Sequence, residues 1–149
     1  MRCRYGKEPS KIVDVLNQIV ELELAGAVRY TQYSLMVFGL GRIPIMNWMR
    51  EKANEALMYA VEAGEEVTSK GGRVSLALAE ATGVYHDHVD DIMKEMLVHE
   101  RKGIRLYRQL LEMVTGSEIS LEEFARQKIR NEEVQVSEIE KMFKRRGDA

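Results

Sequence analysis

The chain predicts an all-α fold, a four-helix bundle with one long crossover, and three observations carry that expectation. Apolar residues recur at spacings of three and four through four long stretches, the period of a helix with one buried face. Glycine, proline and capping residues fall between those stretches rather than within them. Two of the three connections are short and the middle one is long, which pairs the helices into two antiparallel hairpins joined by a crossover.

The first helix is expected from about Pro9 or Ser10 to about Phe38, ended by Gly39 and Gly41. Pro44 opens the second, at a position where the missing N–H costs nothing. That helix runs to about Lys70, where Gly71-Gly72 stops it. A connector from Gly71 to about Val84 follows, with Leu76, Leu78 and Ala79 expected to pack on the bundle. The third helix covers roughly His86 to Val114 and ends at the tight Thr115-Gly116-Ser117 loop. Ser120 and Glu123 form a capping-box pattern that starts the fourth, which runs to about Arg145. Helices of about 28 residues each span about 40 Å and draw most of their stability from packing. The chain shows no convincing internal repeat and no low-complexity segment, and no fifth helix is expected after the fourth.

Composition narrows the function classes. The 149 residues suit one domain, 1–149, with a single substantial core. A net charge of −2 gives no strong global attraction to nucleic acid or to an anionic membrane. The basic tail of Lys141, Lys144, Arg145 and Arg146 is short and complements a helix C-terminus. With Cys3 the only cysteine, neither an internal disulfide nor a Cys₄ metal site can form. No charged-then-apolar leader and no run of about 18 apolar residues is present, so a cytoplasmic location is expected. There is no phosphate-cradling glycine loop, nucleophile elbow or Ser/His/Asp pattern.

Three glutamates interrupt otherwise apolar or small-residue stripes. Glu23 falls in Leu16, Ile19, Glu23, Ala27, Tyr30, Ser34. Glu100 falls in Val89, Met93, Met96, Glu100, Gly103, Tyr107, Leu110. Glu132 falls in Ala125, Ile129, Glu132, Val136, Ile139, Phe143. A single glutamate on such a stripe usually sits at its edge and reaches water or an arginine. Three at matching mid-helix depth point to a shared cation, because an ionised carboxylate is buried at a cost of several kcal/mol unless neutralised. In a helix bundle that cation is typically a metal. His86 and His88, two apart, do not share a helical face and read as a surface pair; His99 is expected to be exposed. Glu51, Glu55, Glu62 and Glu66 form an acidic edge on the second helix, ordinarily a solvated face.

With these strings the chain resembles a bacterioferritin, within the ferritin-like di-iron superfamily. The resemblance rests on Leu16-Asn17 with Glu23 and Tyr30, on Gly71-Gly72, on Glu100 with Gly103, and on Asn131-Glu132-Glu133. It implies a bundle whose first and third helices each give one glutamate to a di-iron site, while the second and fourth each give a Glu-x-x-His. It also implies oxidation of Fe(II), iron storage and a homodimer or higher homo-oligomer. Carried over position by position, Glu23, Glu100 and Glu132 match ligands, and the histidine after Glu132 is replaced by Gln135. A gapless match on the second helix puts Ala56 at the glutamate position and Tyr59 at the histidine position, with Glu55 one residue before. The implied metal set is therefore Glu23, Glu55, Glu100, Glu132, Tyr59 and Gln135, an oxygen-donor set without imidazole that suits harder ions. The family's haem methionine position is Leu57, with Met58 beside it, and haem is not expected. The alternative reading is a non-enzymatic bundle with a decayed metal site, acting as a structural or interaction subunit.

Overall fold

The computed structural model describes residues 7–79, 83–144 and 147. Four helices follow in order: α1 (Lys7–Met36), α2 (Arg42–Ser69), α3 (Val89–Val114) and α4 (Ile119–Phe143). Each expected helix is present, with its ends displaced by up to about three residues, as helix ends commonly are. Cys3, Arg145 and Arg146 lie outside the described residues. The chain divides into two compact units, Met1–Tyr85 and His86–Ala149. Each unit contains one antiparallel hairpin, α1 with α2 and α3 with α4.

In the first hairpin α1 buries Val15, Leu16, Ile19, Val20 and Tyr30, while α2 buries mainly small residues, Ala53, Ala56, Ala60, Ala63 and Gly64. Small side chains on α2 let the two helices approach closely. Gly39, at φ 104°, makes the turn between them, and Arg42 N–H donates back to its carbonyl at 3.1 Å. Pro44 stands in the first turn of α2, where no intrahelical partner for its N–H is lost. The far end of α2 closes as a Schellman motif: Gly71 N–H donates to Thr68 O at 2.9 Å and Gly72 N–H to Val67 O at 3.0 Å. Gly71 takes the left-handed conformation, at φ 74°. Gly72 is needed for another reason, since a Cβ there would stand 2.8 Å from Val13 Cγ1 and 3.2 Å from Val67 Cγ1.

The crossover that follows is irregular and is tied to α1 by one side chain. Asn17 donates to Arg73 O at 3.0 Å and accepts from Ser75 N–H at 2.9 Å, pairing with the passing backbone as a neighbouring strand would. A third bond runs from Ala79 N–H to Glu21 O at 3.2 Å. The expected packing of Leu76 and Leu78 is not found: they are 99% and 56% exposed. Polar bonds to α1 hold this segment, and its two leucines project outward.

In the second hairpin α3 buries Ile92, Met93, Met96, Tyr107, Leu110 and Val114 on one face. The opposite side carries the charges, and Arg101 meets Glu140 at 2.8 Å and Arg108 meets Glu133 at 2.6 Å on the outside of the pair. Tyr107 packs edge-on against Phe124 of α4, with ring centroids 6.1 Å apart. The capping box expected from Ser120 and Glu123 does not form. Glu118 is the N-cap and makes no side-chain cap bond. Glu122 instead accepts from Gly116 N–H at 3.2 Å, and from Arg126 one turn on. The backbone bond first, and the Arg126 bond second, hold its carboxyl below the ordinary value of 4.5.

Candidate functional site

Burial of the three glutamates follows the stripes. Glu23 is 5% exposed, Glu100 6% and Glu132 6%. The stripe on α4 holds at Ala125, Glu132 and Ile139 but departs elsewhere. Its buried line runs Leu121, Ala125, Lys128, Glu132, Ile139, so Lys128 stands where Ile129 was expected and Phe143 is exposed. Hydropathy counts a lysine as polar and so assigned that one position to Ile129, which is half-buried.

In the first hairpin, the middle of α1 with Glu23 runs alongside the middle of α2. Ala56 and Tyr59, the positions a gapless match assigns to the family's ligands, are both buried. Glu55 lies at the margin of that face, its side chain one third exposed. It is engaged on both oxygens: Tyr59 OH donates to Oε1 at 2.8 Å, and Lys52 Nζ donates to Oε2 at 2.7 Å. Lys52 itself is 7% exposed, a burial rare for lysine unless it is paired. So Glu55 and Tyr59 do come together, around a lysine the stripes had not flagged.

In the second hairpin Glu100 on α3 and Glu132 on α4 are both buried at mid-helix. Lys128, only 3% exposed, sits one turn before Glu132 on the same face, its Nζ 5.4 Å from the centre of the Phe124 ring. Gln135 Oε1 is buried and accepts no hydrogen bond. His99, expected to be exposed, is buried at 7% exposure. The residue before Glu100 also lies within the helix's inward half, because the buried arc of α3 is broad. His86 is not a simple surface residue either: its Nε2 lies 2.7 Å from Glu95 Oε1, in contact though not aligned as a hydrogen bond, while His88 is exposed. Leu57 and Met58 are about half exposed, on the outer side of α2.

These donors can be weighed against a di-iron centre. Among the described residues no group of three or more His, Cys, Asp or Glu side chains is arranged to hold a metal ion. Both imidazole positions carry oxygen donors, Tyr59 and Gln135. Glu55 and Tyr59 satisfy each other, and Lys52 offers an ammonium, which cannot ligate while protonated. Such a set does not fit a resident di-iron centre. Within this set, among the described residues, Gln135 Oε1 is buried without a hydrogen bond and still calls for a cation or a donor.

Comparison with known proteins fits the helical architecture. A ferritin-like, diiron-carboxylate protein from Bacillus anthracis superposes with a TM-score of 0.88 at 14% identity, covering 94% of this chain and 100% of that one. Bacterioferritin from Rhodobacter capsulatus, solved with a metal-free dinuclear site and haem iron, gives 0.81 at 18% identity over 89% and 82%. The dodecameric thioferritin of Bacteroides fragilis, a bacterioferritin-related protein, gives 0.80 at 16% identity over 89% and 84%. No curated protein matches the sequence. These likenesses establish a ferritin-like four-helix fold. Residues 13–146 match the ferritin-like domain model, and the chain belongs to that family.

Proposed function

We propose that the chain is a bacterioferritin-like subunit of a homo-oligomer that serves iron storage as part of the assembly, with little or no ferroxidase chemistry of its own. The observation that carries this reading is the Lys52–Glu55–Tyr59 string on α2. Where the family would place a glutamate and a histidine, α2 offers Ala56 and a tyrosine already bonded to Glu55. Iron is cargo in this reading, not a resident cofactor, and the setting is the cytoplasm. The outer surface of the first hairpin supports assembly: Leu57, Met58 and Val61 on α2 and Leu76 and Leu78 on the crossover are all about half exposed or more. Such apolar groups mark contact surfaces when they gather on one side of a molecule. A dodecamer in the Bacteroides fragilis relative is consistent with this.

A second reading is favoured by the orphaned Gln135 Oε1. Here the oxygen donors of each hairpin, Glu23, Glu55 and Tyr59 in the first and Glu100, Glu132 and Gln135 in the second, hold a hard or weakly held ion after local rearrangement. The deciding measurement is oxygen-dependent Fe(II) oxidation above the buffer background. The wild-type protein should be slow, and the Ala56→Glu, Tyr59→His, Gln135→His triple variant faster. Equal rates at a high level would establish that the existing oxygen donors work, and the storage-only reading would fall.

A further inference from the structure

The two hairpins repeat one pattern of buried polar residues. On α1 and α3 a buried glutamate is followed seven residues later by a buried tyrosine, Glu23 with Tyr30 and Glu100 with Tyr107. On α2 and α4 a buried lysine stands seven residues before the family's histidine position, Lys52 before Tyr59 and Lys128 before Gln135. Each lysine is therefore one turn N-terminal to the family's metal-binding glutamate position, Ala56 on α2 and Glu132 on α4, and on the same face. A repeat invisible in overall similarity is thus present at the positions that carry charge.

We propose that Lys52 and Lys128 are built-in counter-cations, one per hairpin, each neutralising a carboxylate at or beside the glutamate position where a bound metal does so elsewhere in the family. Long amines are rarely left in a protein interior without an anion, since removing an ammonium from water is as costly as burying a carboxylate. In the first hairpin the pairing is direct: the Lys52 ammonium lies 2.7 Å from Glu55, and the carboxylate that Ala56 lacks is supplied one residue earlier. In the second, Lys128 shares a face with Glu132 at a spacing of four and rests on Phe124, whose ring face also favours a cation. An ammonium carries one fixed charge, takes no part in iron redox chemistry and cannot be removed by a chelator. Divalent metal and lysine therefore compete for the same carboxylates, and in the folded wild type Glu55 and Glu132 each already have a lysine on their own helix. This inference is independent of the storage reading, and it would hold for a subunit that never met iron.

The test uses thermal melts of the full chain in EDTA and across a Zn(II) titration. Five proteins are compared: wild type, Lys52→Met, Lys128→Met, and the paired variants Lys52→Met with Glu55→Gln and Lys128→Met with Glu132→Gln. Wild type should melt at the same temperature with EDTA and with Zn(II). Each lysine variant should melt lower in EDTA and climb as Zn(II) is added, because the metal then replaces the missing ammonium. Each paired variant, having lost both charges, should recover toward wild type and ignore Zn(II). If a lysine variant folds only with Zn(II) present, that is the strongest form of the expected result. Wild type responding to Zn(II) as strongly as the lysine variants would overturn the proposal. So would paired variants no more stable than the single ones, which would make the lysines packing elements rather than counter-charges.

Discussion

At the scale of single residues, charge placement decides what this core can do. Glu122 illustrates an exposed case with a clear sign. Its carboxyl titrates below 4.5 in the folded protein because Gly116 N–H and then Arg126 bond to the ionised form. Its contribution is thus present above the unfolded value and is lost as pH falls through the lower, folded one. Glu122→Gln should remove part of the acid dependence of stability below about pH 4.5 while changing little at neutral pH, as acid titrations of the melting temperature would read. An acid limb identical to that of wild type would show that the Gly116 cap is energetically silent. Tyr59→Phe tests the other residue-scale feature. It should cost about 1 kcal/mol, the usual net worth of one partly buried hydrogen bond, in urea unfolding.

At the scale of elements, the end of α2 and the crossover are set by close contact and by one amide. Gly72→Ala would push a methyl into Val13 and Val67, branched side chains with little freedom to move aside. The expected loss is about 1–3 kcal/mol, typical of overpacking, seen as an earlier urea midpoint. A neutral result would mean that the crossover shifts as a body to make room. Asn17 bonds the crossover backbone on both sides of Val74, at Arg73 and Ser75. Asn17→Ala should raise amide hydrogen exchange through Arg73–Ala79 while leaving α3 and α4 protected. Unchanged exchange there would mean that Ala79 bonding to Glu21 alone anchors the segment.

At the scale of the whole molecule, the exposed apolar residues of the first hairpin and crossover predict self-association. Leu76 is almost wholly exposed, and Leu57, Met58 and Val61 form a second apolar patch on α2. A charged substitution pair such as Leu57→Glu with Val61→Lys should leave the helix intact yet shift the mass seen by light scattering toward the monomer. A variant that keeps the wild-type mass would exclude that face of α2 from the assembly.

Much of this protein was legible in the chain. Periodicity, glycine stops and connector lengths set the four helices and their hairpin pairing, because those signals are local and add over many residues. The burial of Glu23, Glu100 and Glu132 was legible too, since each is flanked by apolar neighbours one turn away on either side. Tertiary structure decided what the local pattern leaves open. A lysine on a helix can snorkel to water or turn inward, and a carboxylate one turn on, Glu55 after Lys52 or Glu132 after Lys128, can be met on an exposed face as well as a buried one; the packing of that face against its neighbours decides. The same holds for His99, drawn inside by the wide buried arc of α3, and for Leu76 and Leu78, turned outward because Asn17 claims the crossover's backbone. Helical spacing therefore identified where charge would be buried, while the cations available to meet it emerged only when the helices were packed into hairpins.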